Sequence, residues 1–216
     1  MEVLAEQRPR RSGRPLSFDR DAVLHTAMLM FWRHGYETTS LSDLTAAMGV
    51  TPPSIYAAFG DKKRLFLEAV SLYLSGPSSP WAIIEGGATA RESAWALLAG
   101  AVDAFTGQDT PAGCMLATSA ISGSASAADV QQELSDIRNG VEAALKARII
   151  TGMEAGELAG DTDAEALAGH VTAVIQGMST LARDGADREK LLRVATMAMR
   201  AWPSVAADGP RLPFVG

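Results

Sequence analysis

Residues 38–70 read TTSLSDLTAAMGVTPPSIYAAFGDKKRLFLEAV, a stretch with three helix starts in quick succession. Ser40 and Asp43 have the S-x-x-D spacing of a capping box, in which a hydroxyl and a carboxylate satisfy the open N–H groups of a first turn. Thr51 is followed by Pro52 and Pro53. Proline inside a helix costs on the order of 3 kcal/mol, but in the first turn there is no intrahelical hydrogen bond to lose. A short helix from Pro52 to Phe59, capped by Thr51 and ended by Gly60, is therefore predicted. Asp61 starts a third helix that runs to about Leu74. Leu44, Met48, Val50 and Ile55 fall where two short helices joined across Gly49 would pack, Gly49 permitting a left-handed turn, and Ile55 and Phe59 are assigned to the core. The pattern is that of a helix-turn-helix.

Working outward, Asp19 caps a first helix to about His34, with Val23, Ala27, Met30, Phe31 and His34 on one face and Gly35 at its end. Downstream, the loop SGPSSP at 75–80 precedes helical segments Thr89–Thr106, Gly113–Ile121, Ala127–Glu154, Asp163–Arg183 and Asp187–Trp202. Few runs of β-branched residues occur, and the 216 residues are 47% hydrophobic, enough for a sizeable core. The expected fold is all-α. The expected division is a polar, Arg-rich arm at 1–17, a helix-turn-helix domain at 18–64, a helical domain at 65–203 and a non-helical tail at 204–216.

Charge is divided along the same line. The net charge is -6, yet residues 1–64 carry nine Lys/Arg against seven Asp/Glu, while the rest carry ten against eighteen. An acidic body with a basic front end fits binding of DNA through that end. No apolar stretch is long enough to span a membrane and the N-terminus has no apolar signal core, so the chain is expected to stay in the cytoplasm. Cys114 is the sole cysteine, and His25, His34 and His170 are scattered, so no metal and no cofactor are expected. The sequence has no Gly-rich phosphate loop and no nucleophile elbow, which argues against an enzyme.

The run from Phe18 to Val70 resembles the DNA-binding domain of the TetR family of regulators, through FWRHGYETTS and LxDLxxxMGVxxxSIYxxFGDKKxLFLEAV. The segments GCMLATSA and GELAGDTDAEALAGHVTAVIQGMSTLARDGADREKLLRVA resemble the C-terminal domain of one branch of that family. The resemblance implies a repressor that a small molecule releases from a palindromic double-stranded DNA operator. It implies that the helix Thr51–Phe59 enters the major groove, with Thr39 or Ser40, Thr51, Ser54, Tyr56 and Lys62 as contacts. Pro52, Pro53, Ala57 and Ala58 stand where many relatives carry polar side chains. Pro52 and Pro53 are accordingly expected to meet bases by apolar contact and fit, while Arg10, Arg11 and Arg14 of the arm add a minor-groove or phosphate contribution. The rival expectation is a helical ligand-binding or interaction module without sequence-specific DNA binding.

The resemblance also implies a ligand cavity in the C-terminal domain and a homodimer through the last two helices. Leu167, Val171, Val174, Ile175, Met178 and Leu181 form one apolar stripe, and Leu191, Val194, Ala195, Ala198 and Trp202 another. Gly169, Ala173 and Gly177 would let helices approach closely. Trp81, Trp95, Phe105, Cys114, Met115, Thr118, Met153 and Met178 are the candidate ligand contacts, and their character suggests an apolar or aromatic effector. Cys114, next to a helix start, is also a candidate for reaction with an electrophile, against the plainer reading of a buried small hydrophobe.

Overall fold

The computed structural model describes residues 18–76, 78–119 and 127–203, and within them the chain is helical with no strand. Arg10, Arg11 and Arg14, and the expected tail at 204–216, lie outside the described residues. The N-terminal helices are α1 (Arg20–His34), α2 (Leu41–Met48) and α3 (Pro52–Phe59), and α4 (Lys62–Tyr73) leads out of them. Then come α5 (Pro80–Gly86), α6 (Ala90–Phe105), α7 (Met115–Ser119), α8 (Ala128–Glu154), α9 (Ala164–Arg183) and α10 (Arg188–Ala198), followed by a 3₁₀ turn at Met199–Ala201.

Local chemistry explains most of the boundaries. Asp19, Ser40, Asp61, Thr89, Asp163 and Asp187 each accept a first-turn N–H from their own helix. Each such cap is worth about 1 kcal/mol. Thr51 occupies the cap position of α3 with Pro52 and Pro53 in the first turn, but its hydroxyl does not cap; Thr51 Oγ1 lies 3.0 Å from Ser54 Oγ instead. Helix α5 is the element the sequence reading omits, although Ser79 caps it and Pro80 opens it, the same signal that marks α3.

The buried face of α1 is Val23, Ala27, Met28, Phe31 and Trp32; His34, expected on that face, is exposed in the last turn. Leu44, Ile55 and Phe59 are buried between α2, α3 and their neighbours, with Met48 and Val50 packed at the margin. Burial of a side chain such as Leu44 contributes roughly 1.5–3 kcal/mol. Helix α4 packs along α1 and also reaches α7, so the division expected after residue 64 falls within a continuous helix. A displacement of α4 is therefore felt on both sides of that division.

Candidate nucleic-acid interface and effector cavity

The outer surface of the helix-turn-helix is small and mostly apolar. Pro52, Pro53, Tyr56 and Ala57 are exposed on α3, Tyr56 to 52%, while Ile55 and Phe59 face inward. Gly49 closes α2 in the left-handed conformation, at φ 66°, and a Cβ there would meet nothing within 4 Å. The constraint at Gly49 is thus purely one of backbone angle.

Around α3, the hydroxyls and cations have different commitments. Thr39 is 1% exposed and its Oγ1 donates to Gly35 O at 2.7 Å. Its side chain is a buried staple at the end of α1, which corrects the expectation that it presents a hydroxyl to a phosphate. Ser40 is exposed, but its Oγ donates to Asp43 Oδ2 at 2.6 Å and accepts from Asp43 N at 3.1 Å, while Ser40 N also donates to Asp43 Oδ2. Those hydrogen bonds from Ser40 hold the Asp43 carboxyl below its ordinary range. A carboxylate therefore stands where an anion would have to dock.

Lys62, Lys63 and Arg64 open α4 and part ways. Lys62 Nζ lies 4.5 Å from the centre of the Tyr36 ring, a cation–π geometry, and partial burial lowers its pKa. The Tyr36 ring is itself held 4.9 Å from that of Phe66. Lys63 Nζ pairs with Asp129 Oδ2 of α8 at 2.9 Å. Arg64 is exposed, with its Cδ 3.1 Å from where a Cβ on Gly60 would stand. Of the basic cluster, Lys62 and Arg64 remain beside α3. Tyr36, which positions Lys62, carries no signal in the linear sequence beyond its place in the turn after α1.

A cavity of about 970 Å³ lies behind this surface, walled by α1, α4, α6, α8 and α9. Met28 and Trp32 of α1 line it, as do Leu72 and Tyr73 of α4, Leu97 and Phe105 of α6, and Arg138, Glu142, Thr172 and Gln176 of α8 and α9. Exposed His25, Asp103, Gln108 and Asp109 also border it. Among the expected effector contacts, Phe105 and Cys114 line this cavity. The other candidates are placed elsewhere. Met115 and Met178 are fully buried in core packing, and Thr118 is buried with its hydroxyl donating to Cys114 O at 2.9 Å. Trp95 is 37% exposed, Met153 packs at the edge of the core near the end of α8, and Trp81 borders a smaller pocket beside α4 and α8. Bulky soft side chains mark apolar volume, but only the tertiary arrangement decides whether that volume is filled or hollow.

One network runs past the cavity from α1 to α9. Trp32 Nε1 donates to Gly113 O at 2.7 Å, and the Trp32 ring lies edge-on to Tyr73 at 4.8 Å. The Tyr73 hydroxyl donates to Cys114 Sγ at 3.7 Å; burial raises the Tyr73 pKa well above its ordinary value, so this phenol stays a neutral donor. Cys114 N donates to Ser179 Oγ of α9 at 2.8 Å, and the Arg183 guanidinium donates to Thr118 Oγ1. Gly113 has φ 79°, and a Cβ on it would stand 2.8 Å from Ser179 O. Only glycine fits the point where the segment before α7 meets α9.

Comparison with known proteins places this arrangement. Residues 23–69 match the model of the bacterial regulatory proteins of the tetR family, and residues 92–198 match a tetracyclin repressor-like C-terminal domain. The chain is 37% identical over 195 residues to the HTH-type transcriptional repressor ComR of Escherichia coli K12, covering 89% of this chain and 93% of that one. It is 26% identical over 207 residues to the repressor BdcR of the same organism, covering 95% of this chain and all of that one. Among solved structures, a cysteine-substituted form of the TetR-family regulator CifR, complexed with 26-base-pair double-strand operator DNA, superimposes with a TM-score of 0.84 at 41% identity, covering 88% of this chain and 100% of that one. By sequence in both halves and by fold, this chain is a helix-turn-helix DNA-binding transcriptional regulator and belongs to the TetR family.

Proposed function

We propose that the chain is a homodimeric repressor that leaves a palindromic operator when a small molecule enters the cavity. The observation that carries this reading is that Met28 and Trp32, which line the cavity, belong to α1, against which the helix-turn-helix is packed. An occupant therefore bears directly on the DNA-binding unit and on α4. A ligand shifts the equilibrium only if it prefers the arrangement that does not fit DNA. Tyr56, Thr51 and Ser54, with Pro52 and Pro53 against the bases, and Lys62 on a phosphate, are the proposed contacts in each half-site. The CifR relative, complexed with 26-base-pair operator DNA, supports double-strand DNA as the partner.

Dimerisation through α9 and α10 is supported by what a single chain leaves uncovered. Gly177 of α9 is exposed, Val174 is partly so, and Met197 of α10 is 59% exposed, whereas Ala173 lines the cavity. Gly169, by contrast, lies toward Glu142 of α8, so the small-residue stripe serves two neighbours.

Purified protein is incubated with fragmented DNA of its source genome, and what it retains at near-physiological salt is sequenced. The expected result is one or a few palindromic sites. The release step is tested on such a site with Ala101→Trp, which fills the cavity from α6 in place of a ligand. A folded A101W variant should lose operator affinity. Retention of wild-type affinity by a folded A101W protein overturns cavity-driven release, and uniform retention that vanishes with salt overturns the specific repressor.

A further inference from the structure

The cavity lining mixes apolar and polar groups. Met28, Trp32, Leu72, Leu97 and Phe105 bring apolar surface from α1, α4 and α6, and α8 and α9 bring Arg138, Thr172 and Gln176 among apolar neighbours such as Val141 and Ile175. Arg138 stands out among the polar groups. Its Nη1 is covered from solvent and has no hydrogen-bond partner, and none of the ion pairs among the described residues includes it.

Acidic groups border the same space without serving it. Glu142, one turn along α8, accepts from Thr172 Oγ1 at 2.7 Å. Asp103 pairs with Arg188 at 2.8 Å, and Asp109 lies exposed at the cavity's edge. A guanidinium that is partly stripped of water and donates to no acceptor among the described residues has hydrogen-bonding capacity left unmet. Its planar fork matches a carboxylate, with two parallel hydrogen bonds.

We infer that Arg138 is the anchor of an anion subsite in the cavity, and that the effector is an amphipathic organic acid whose carboxylate meets Arg138 while its hydrocarbon or aromatic body lies against Trp32 and Phe105. This rests on the cavity being the effector site. It also refines the expectation of an apolar or aromatic effector, because nothing in the linear sequence marks Arg138 of the long helix α8 as turning to this space. The acid is monovalent and mostly apolar, since Glu142 and Asp109 oppose a more highly charged anion.

The test uses three carboxylates, phenylacetate, 4-phenylbutyrate and decanoate, each paired with the primary alcohol of the same skeleton. Binding to the full-length protein is measured by calorimetry for wild type, R138Q and R138K. A charge-assisted pair predicts that at least one carboxylate binds about tenfold or more tightly than its alcohol. R138Q should abolish that preference while leaving the alcohol's affinity unchanged, and R138K should restore part of it. A merely structural role for Arg138 would weaken both probes together. The subsite is refuted if every alcohol binds as well as its acid, if no acid binds below millimolar concentration, or if R138Q keeps the preference. Operator retention is read separately on the same samples. Carboxylate preference without operator release keeps the subsite and removes the effector reading, whereas release by the alcohols alone keeps the effector reading and removes the subsite.

Discussion

Replacing Trp32 by phenylalanine separates a packing role from a coupling role. The indole N–H meets the buried Gly113 carbonyl at 2.7 Å, and the ring lies edge-on to Tyr73 while lining the cavity. Phenylalanine keeps an aromatic surface for Tyr73 but removes the donor. A buried acceptor left unmet costs about 1–3 kcal/mol. The volume vacated by the smaller ring adds roughly 1 kcal/mol. In a chain of this size each kcal/mol moves Tm by about 2–4 °C, so the expected fall is about 4–16 °C. Thermal unfolding followed by far-UV circular dichroism, at one fixed protein concentration because a dimer's Tm depends on it, reads that loss. The second readout is operator affinity in the A101W background, where W32F should blunt the release that cavity filling produces. A Tm within about 2 °C of wild type would refute the energetic reasoning. A normal fall in Tm with release fully preserved would refute the coupling, leaving Trp32 as packing alone.

Three other perturbations follow from the same geometry. Lys62→Met should weaken binding to all DNA sequences alike and reduce the dependence of log K on log salt by about one per subunit, measured by fluorescence anisotropy across a salt series; an unchanged slope removes Lys62 from the phosphate contacts. Gly113→Ala meets both a positive φ and the Ser179 carbonyl 2.8 Å away, so it should cost more than the roughly 1–2 kcal/mol of the backbone angle alone, and a chemical-denaturation midpoint equal to wild type would show that the approach of α7 to α9 yields easily. Glu157 is held below its ordinary 4.5, chiefly by the Ala90 N–H at 2.6 Å, against the effect of burial and with help from Arg148. Its contribution to stability is therefore present above pH 4.5 and lost as pH falls through the lowered value, so Glu157→Gln should flatten the acid limb of a Tm-against-pH curve, and an unaltered limb would assign that limb to other carboxylates.

The parts of this molecule written in local chemistry were legible, and the hollow part was not. Asp19, Ser40, Asp61, Thr89, Asp163 and Asp187 announce helix starts through the residues beside them, and the structure places a helix after each. Even the omitted α5 carries the Ser79–Pro80 signal, hidden because it sits in a loop rich in Ser, Pro and Gly and lasts only seven residues. The cavity has no such local grammar. Met115 and Met178 share the residue type expected of a flexible pocket, yet both are sealed in the core, while Trp32, Tyr73 and Arg138 come to the cavity from three different helices. No periodicity within one helix could have brought those three together.

The same distinction bears on how an acidic protein grips DNA. Residues beyond 64 carry eighteen acidic against ten basic side chains, so the body repels the duplex and binding must be earned at the tip. There the described residues beside α3 offer few cations: Lys63 is turned toward Asp129, Lys62 is steadied over Tyr36 and Arg64 is exposed, while the Ser40 hydroxyl is closed by Asp43. Counterion release scales with the number of phosphates neutralised, so these residues supply only a modest salt-dependent affinity. What remains on α3 is Pro52, Pro53, Tyr56 and Ala57, a stiff surface without long polar side chains. Such a surface suits the reading expected from the sequence, through thymine methyls and the shape of the groove, since it offers no paired hydrogen bonds to guanine or adenine. It also tolerates little misplacement, because contacts of shape fail when two recognition helices are spaced wrongly. On the proposed function, an apolar recognition helix and a cavity bordered by α1 and α4 are matched parts: the less the described tip relies on charge to hold DNA, the smaller the displacement a ligand would have to cause to release it.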